Sequence, residues 1–139
     1  MIKSLAEMID EIEKQKTAAS QTKLLKKYAS AAMKAVVGYA MDPGVKFLLP
    51  LTDPPFRPMP DGSDAQGRLI SDHRKFIYFV DSPDGRSLSA IKREQMFIQM
   101  LESLDVRDAQ LLLRIKNKKL TIKMEAVKSA FPSLTAKWK

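Results

Sequence analysis

The residues of this chain with the clearest chemistry are lysines close to its C-terminal end. Five of them surround the junction between two predicted helices: Lys116, Lys118, Lys119, Lys123 and Lys128. A lysine ammonium acts as a point charge toward phosphate, and exposed backbone N–H groups at a helix start add to that attraction. Such a junction suits a sugar-phosphate backbone better than base edges. A lysine face that contacts only solvent is the common alternative, and the residues alone leave both open.

The net charge favours the same kind of partner. The 139 residues include 24 Lys and Arg and 16 Asp and Glu, which gives a formal net charge of +8. Most of this excess positive charge lies in residues 107–139, which contain nine Lys and Arg and two acidic residues, Asp108 and Glu125. This balance favours a polyanionic partner, with nucleic acid first, an acidic protein second and a membrane surface third.

No group of residues in the sequence suggests catalysis or metal binding. The chain has no Cys and a single His, His73, which excludes a thiolate metal site and a His-rich zinc site. The carboxylates are scattered, and no Gly-rich phosphate loop is present. His73 lies between Asp72 and Arg74, and we expect it at the surface. We therefore expect a protein that is not an enzyme and that binds neither a metal nor a cofactor.

The hydrophobic segments predict no membrane attachment. The apolar stretch over residues 29–41 is interrupted by Lys34 and is too short to span a bilayer. The first residues reach Glu7 and Asp10 before any long apolar run, which is unlike a secretory signal. The absence of Cys is compatible with a reducing cytoplasm, where we expect the protein to act.

Apolar residues at helical spacing predict an all-α fold: one domain over residues 1–139, with about six helices. Ser4 can cap the first helix, because Glu7 follows three residues later as in a capping box. The outer face of this helix is acidic. Thr17 can cap the second helix, and the third covers residues 30–41.

The third helix should end at Asp42-Pro43-Gly44, since Pro cannot continue a helix interior. We expect another helix over residues 69–81 and a basic unit of three helices over residues 90–134. Ser87 or Ser89 can cap the first helix of that unit. Its apolar side is predicted to comprise Ile91, Phe97, Ile98, Leu101 and Leu104.

The segment over residues 50–67 differs from the rest because it holds five of the eight prolines. It reads as an extended, polyproline-like connection rather than a helix or strand. We expect a strap across the helices, anchored by Leu51, Phe56 and Met59. A disordered loop is the alternative.

Two segments resemble the N-terminal DNA-binding domain of phage and viral ATP-dependent DNA ligases. Residues 38–47, Gly-Tyr-Ala-Met-Asp-Pro-Gly-Val-Lys-Phe, are similar to its Ala-x-Asp-Pro signature with a following Phe. Residues 101–134, which end in Phe131-Pro132-Ser133-Leu134, resemble the helix pair and the aromatic-Pro-small-Leu motif at its end. Residues 92–102 and 116–120 are also similar to a family of small tailed-phage proteins, including cyanophage ones.

The resemblance implies an all-helical domain that grips duplex DNA by its backbone and helps a ligase encircle a nick. Carried over, it places Lys116, Lys118, Lys119, Thr121 and Lys123 near the DNA-facing turn. The ligases usually have a Gly in that turn, whereas residues 120–124 here contain none. The Lys-x-Asp-Gly motif that carries the adenylate in ligases is absent, so this chain is not expected to be a ligase.

The leading hypothesis is a small, non-enzymatic phage protein in the cytoplasm of an infected host. It would bind duplex DNA, intact or nicked, through phosphates, as an accessory to replication or repair. The alternative is a module that binds a host or phage protein, or a virion or assembly component. Its contacts would be the acidic first helix, with Glu7 and Glu11, or Phe56 of the strap.

Overall fold

The structure is a computed structural model and describes residues 4–50, 52–57 and 68–138. Across these ranges the chain forms nine α-helices and one 3₁₀ helix, which confirms the predicted all-α class. The helices are α1 (Leu5–Glu13), α2 (Ala18–Lys27), α3 (Ala31–Met41), α4 (Arg68–Asp72), the 3₁₀ helix (His73–Phe79), α5 (Pro83–Arg86), α6 (Ala90–Ser103), α7 (Val106–Lys116), α8 (Met124–Ala130) and α9 (Pro132–Thr135). An isolated antiparallel bridge joins Phe47 and Val80.

Six of these helices begin at a side-chain oxygen that accepts the backbone N–H of the residue three positions later. The pairs of cap and donor are Ser4 with Glu7, Thr17 with Ser20, Ser30 with Met33, Ser82 with Gly85, Ser89 with Lys92, and Asp105 with Asp108. Such a cap satisfies an N–H that a helix start leaves unpaired, and contributes about 1 kcal/mol. Ser4 and Thr17 are thus confirmed as caps, and Ser89 rather than Ser87 caps α6.

The predicted number of about six helices is too low, because three α-helices are only four or five residues long. α5 and α9 begin at Pro83 and Pro132, where the missing N–H of proline costs nothing. The helix expected over residues 69–81 is divided into α4 and the 3₁₀ helix. It ends before Val80, which pairs with Phe47 instead.

Helix α3 lies at the centre of the packing. It contacts α4, α7, α9 and the 3₁₀ helix, and it buries Met33, Val36 and Val37 completely. Small residues along α3, such as Ala32 and Ala40, allow these neighbours to approach closely. In the C-terminal part of the chain, α6 packs on α7, whereas α8 packs chiefly on α2. The basic C-terminal helices are therefore tied to the N-terminal ones.

The buried face of α6 differs from the predicted one. Ile91 is 69% exposed, and Arg93 lies inside in its place, on the same side as Phe97, Leu101 and Leu104. The Arg93 guanidinium donates to the carbonyl oxygens that close the preceding turn, Gly85 O at 2.8 Å and Leu88 O at 3.0 Å. These contacts allow a charged group to be buried. Arg93 thereby joins α6 to the segment before it.

The described part of the proline-rich segment, residues 52–57, lies against α6 and α7. Phe56 is half-buried and packs on the hydrophobic core. The N–H of Arg57 donates to the Glu102 carboxylate at 3.0 Å. The other two predicted anchors, Leu51 and Met59, lie outside the described residues, as does the remainder of the segment to residue 67.

Candidate nucleic-acid interface

The predicted phosphate-binding lysines lie where expected along the chain, around the turn that joins α7 to α8. Lys116 ends α7, Lys118 and Lys119 lie in the turn, and Lys123 and Lys128 belong to the start and body of α8. The structure divides them into two groups. Lys116 and Lys118 are directed into the protein, whereas Lys119, Lys123 and Lys128 are exposed.

Lys116 is bound beneath the proline-rich segment, which corrects its assignment to an exposed basic face. Its ammonium is 3.0 Å from the Asp53 carboxylate and donates to the carbonyl oxygen of Thr52 at 3.1 Å. The side chain is 3% exposed, so it cannot reach a phosphate without leaving these partners. Asn117 donates to the same Asp53 oxygen at 2.9 Å. The hydrogen bonds from Asn117 and Lys116 lower the pKa of Asp53.

Lys118 is also engaged inside the protein, which corrects its assignment in the same way. Its ammonium donates to the carbonyl oxygens of Asp42 and Val45, the latter at 2.8 Å. Burial lowers the pKa of Lys118, and the charge of Asp42 opposes this effect. The lysine thus holds the turn after α3 against the turn after α7.

Lys118 adopts the backbone conformation that glycine usually supplies just after the end of a helix. Its φ is 55°, a left-handed conformation that usually requires Gly. The N–H of Lys118 donates to Ile115 O at 3.1 Å, and the N–H of Lys119 donates to Arg114 O at 2.9 Å. This is the Schellman arrangement that ends many helices. A side chain at this position is strained, but here it makes two hydrogen bonds that Gly could not make.

Thr121 is exposed, but both of its donors are already used. Its N–H and its hydroxyl donate to one oxygen of Glu13, at 2.7 Å and 2.9 Å, and Arg114 donates to the same oxygen. Burial raises the pKa of Glu13, but the hydrogen bonds from Arg114 and Thr121 outweigh it and the net shift is downward. Thr121 therefore links α1 to the turn, and its predicted role in phosphate binding stays a prediction.

The start of α8 is fixed on α2 by two polar contacts. The N–H of Lys123 donates to Gln21 Oε1 at 2.9 Å, and the Thr22 hydroxyl donates to Ala126 O at 3.3 Å. Gln21 is almost completely buried. Because these contacts use the backbone of Lys123, its ammonium remains at the surface.

Helix α2 adds exposed lysines that were not assigned to the site from the sequence. Its ten residues contain Lys23, Lys26 and Lys27, all exposed, and no acidic residue. Together with Lys123 and Lys128 of α8, they form what we call the α2–α8 lysine face. In the described part of the chain, none of these five ammonium groups forms an ion pair, and Glu125 is the acidic residue on α8. The sequence feature that could have identified them is the run of five lysines without an acidic residue over residues 14–27.

Lys119 is exposed and lies in the α7–α8 turn rather than on α2 or α8. The hydrogen bonds from Asn117 and Lys116 lower the pKa of Asp53, and the positive charge of Lys119 adds to this shift. Most of the exposed lysines around this site are therefore on α2 and α8, whereas the sequence pointed to the α7–α8 turn.

The residues predicted to contact a protein partner have partners within the fold. Phe56 packs on the core, and Glu11 accepts a hydrogen bond from the Tyr28 hydroxyl at 2.6 Å. Glu7 is half-buried in the first turn of α1, where its charge raises the pKa of the buried Asp108. Phe56, Glu7 and Glu11 thus have roles within the fold, and their predicted contact with a protein partner stays a prediction.

The described residues contain no group of three or more His, Asp or Glu side chains arranged to hold a metal ion. Nor does any helix within the described ranges have the length and apolar character that crossing a membrane requires.

Comparison with known proteins gives one match. The model of a family of unknown function, DUF6433, matches residues 8–122, from within α1 to the turn before α8. No curated protein and no solved structure matches the chain. The site must therefore be interpreted from its own chemistry.

Proposed function

We propose that this chain, which belongs to the DUF6433 family of unknown function, binds duplex DNA through the phosphate backbone and is not an enzyme. The observation that carries the proposal is the α2–α8 lysine face. It presents five exposed ammonium groups on two helices that pack together. Helix α2 has no acidic residue, so its three lysines are not neutralised locally.

A duplex is a suitable partner for such a face. DNA carries one negative charge per roughly 1.7 Å of helix axis, and each ammonium that meets a phosphate releases condensed counterions. Lysine is a flexible point charge without the planar fork that reads guanine edges, so the face favours the backbone over the bases. We therefore expect binding that depends weakly on DNA sequence and strongly on salt.

The resemblance to the ligase DNA-binding domain supports the same proposal. Its two matching segments meet in the structure, because Lys118 of the α7–α8 turn binds the carbonyl of Asp42 in the Asp-Pro turn. The final motif also has a defined place, since α8 ends at Phe131 and α9 begins at Pro132. By this resemblance, we propose a phage accessory of replication or repair that binds intact or nicked duplex.

Fluorescence anisotropy of a labelled duplex, titrated at several salt concentrations, tests the proposal. The wild-type protein should bind saturably, with log K falling by about 0.9 per phosphate contact for each unit of log salt. Reversing two charges on α8, Lys123→Glu with Lys128→Glu, should flatten that slope by roughly 1.8. The affinity at low salt should fall at least about tenfold.

A matched control changes the net charge equally outside the face. Lys46 and Lys92 are exposed and lie on neither α2 nor α8, so Lys46→Glu with Lys92→Glu should leave most of the affinity. An equal loss in the two variants would show that only net charge matters. Absence of binding at low salt would contradict the proposal. A nicked duplex of the same sequence tests the likeness to the ligase domain, which predicts tighter binding to the nick.

A further inference from the structure

A second surface feature lies apart from α8, between α3, the 3₁₀ helix and the C-terminal residues after α9. It is an open groove of about 590 Å³. Its volume falls within the range of about 300–1,000 Å³ that is usual for small-molecule sites. The lining combines a small-residue floor, a cationic rim and two aromatic rings.

The floor of the groove is the exposed side of α3. Ala31, Ala35 and Gly38 follow one another at helical spacing and line it. A Cβ atom at Gly38 would meet no other atom within 4 Å, so the space above this residue is empty. The groove is deep here because α3 has no large side chain at these positions.

The rim of the groove is positively charged. Lys34, Arg74 and Lys137 line it and are exposed, and Asp42 is the acidic residue among the lining side chains. The Asp42 carboxylate accepts the N–H of Gly44 at 2.8 Å and offsets one of these three positive charges. His73 also lines the groove, and its Nδ1 is 2.7 Å from the carbonyl oxygen of Ile70. The rim therefore favours an anion.

Two aromatic side chains, Tyr39 and Trp138, complete the lining. The Tyr39 ring packs edge-on against Phe76, with 5.4 Å between the ring centroids, so its orientation is fixed. Both residues are half-buried and keep part of their surface accessible. Aromatic rings beside cations suit a ligand with a flat apolar body and a negative charge.

We infer that this groove binds a nucleoside phosphate, with its base against the aromatic side chains and its phosphate at the cationic rim. Two sources share this chemistry, a free mononucleotide and the phosphorylated end of a DNA strand. An acidic peptide would satisfy the rim, but it would leave Tyr39 and Trp138 without a flat partner. The inference rests on the groove alone and does not depend on the α2–α8 lysine face.

The fluorescence of Trp138 provides a direct test, since this is the single tryptophan of the chain. Adenosine monophosphate should quench it saturably. Adenosine and inorganic phosphate, which each supply half of the ligand, should bind at least about tenfold more weakly. Equal binding of adenosine and the monophosphate would overturn the inference. So would quenching by an acidic peptide without quenching by the nucleotide, or the absence of any response.

Variants at Gly38 separate occupancy of the groove from folding. Gly38→Leu should fill the empty space and abolish quenching, whereas Gly38→Ala should retain it. Both replace a glycine within a helix, so neither is expected to impair folding, and circular dichroism checks this directly. Retained binding in Gly38→Leu would place the ligand elsewhere and overturn the inference.

The rim is tested by Arg74→Ala with Lys137→Ala, which should weaken the monophosphate at least about tenfold and leave the weak adenosine binding unchanged. Lys92→Ala on α6 is the matched control. A single strand with and without a 5′-phosphate distinguishes the two sources. Tighter binding of the phosphorylated strand than of the mononucleotide identifies a strand end, and the reverse order identifies a free nucleotide. Failure of the DNA titration would not affect any of these outcomes.

Discussion

Two lysine-rich regions of this protein differ in what their charges do. At the C-terminal end of α7, Lys116 and Lys118 are bound by carbonyl oxygens and by Asp53. On the α2–α8 lysine face, the five exposed lysines form no ion pair among the described residues, and the Lys27 ammonium lies 5.4 Å from the centre of the Tyr28 ring. The comparison shows that the density of lysines along the chain does not distinguish cations that stabilise the fold from cations available to a ligand.

The difference arises from what lies opposite each lysine. The last turn of α7 leaves carbonyl groups that attract cations, and distant segments bring Asp53, Asp42 and Glu13 to the same place. Helix α2 meets α8 through the neutral side chains of Gln21 and Thr22. Among the described residues, no carboxylate forms an ion pair with these lysines, so their charge remains available.

The largest expected effect concerns a buried charge on α7. Asp108 is completely buried, one of its oxygens accepts the N–H of Ala6 at 3.1 Å, and the other has no hydrogen-bond partner among the described residues. Burial raises the pKa of Asp108 from 3.8 to about 6, and the negative charges of Asp105 and Glu7 add to this shift. The protonated form is therefore favoured by folding.

The resulting contribution to stability is present in full below pH 4 and is lost as the pH rises through 6. Above pH 7 the ionised group destabilises the fold by about 3 kcal/mol. Asp108→Asn stays neutral and keeps an acceptor for the N–H of Ala6. Its free energy of unfolding, measured by urea titration, should therefore gain on the wild type by about 2 kcal/mol between pH 4 and pH 7.

The exposed pair of Asp81 and Arg86 provides the control for this prediction. Asp81→Asn should follow the pH dependence of the wild type, because the Asp81 side chain is 44% exposed. If Asp108→Asn also follows the wild type, then Asp108 titrates normally. Its burial would then have no effect on how the free energy of unfolding depends on pH.

An intermediate effect is expected at Lys118. Lys118→Ala removes two hydrogen bonds to carbonyl oxygens while keeping a Cβ at a φ of 55°. We expect a loss of about 1–3 kcal/mol in the free energy of unfolding. Lys118→Gly loses the same hydrogen bonds but relieves the backbone, so it should be more stable than the alanine variant by about 1 kcal/mol.

The neighbouring residue serves as the control in the same urea titrations. Lys119 is exposed, and Lys119→Ala should change the free energy of unfolding by less than about 0.5 kcal/mol. If Lys118→Ala matched Lys119→Ala, the two lysines would be equivalent. The distinction between lysines that stabilise the fold and lysines available to a ligand would then not hold for these two neighbours.

The parts of this fold that could be predicted from sequence are those with local causes. The caps at Ser4 and Thr17 and the stop at Asp42-Pro43-Gly44 depend on neighbours three or four residues away. They also hold in the structure. The number of helices was underestimated because single-turn helices such as α9 resemble turns in sequence.

The site was only partly predictable, because its decisive contacts are distant in sequence. Lys116 is buried by Asp53, 63 positions earlier, and Thr121 is engaged by Glu13, 108 positions earlier. Neither pairing leaves a periodic pattern. Arg93 replaces Ile91 on the buried side of α6 because nearby carbonyl groups are directed toward it, which helical spacing does not reveal either. Conversely, the α2 lysines were visible, but only their packing beside α8 connects them to the site.

The smallest effect on stability is expected for the lysines of α2. These lysines also test most directly whether exposed lysines are available to a ligand without stabilising the fold. Lys23→Ala with Lys26→Ala removes two exposed side chains from a helix and introduces a better helix former. The free energy of unfolding should change by less than about 0.5 kcal/mol per substitution, whereas the salt slope of DNA binding should flatten by roughly 1.8.

The α2 variant should thus keep its stability and lose part of its DNA binding. Lys118→Ala should instead lose stability, because Lys118 forms hydrogen bonds inside the protein. A double variant of α2 that lost stability would show that these lysines also hold the fold. One that kept its full salt slope would confine the DNA contact to Lys123 and Lys128 of α8. In either case the two helices would no longer act as one face, although their packing through Gln21 and Thr22 would remain.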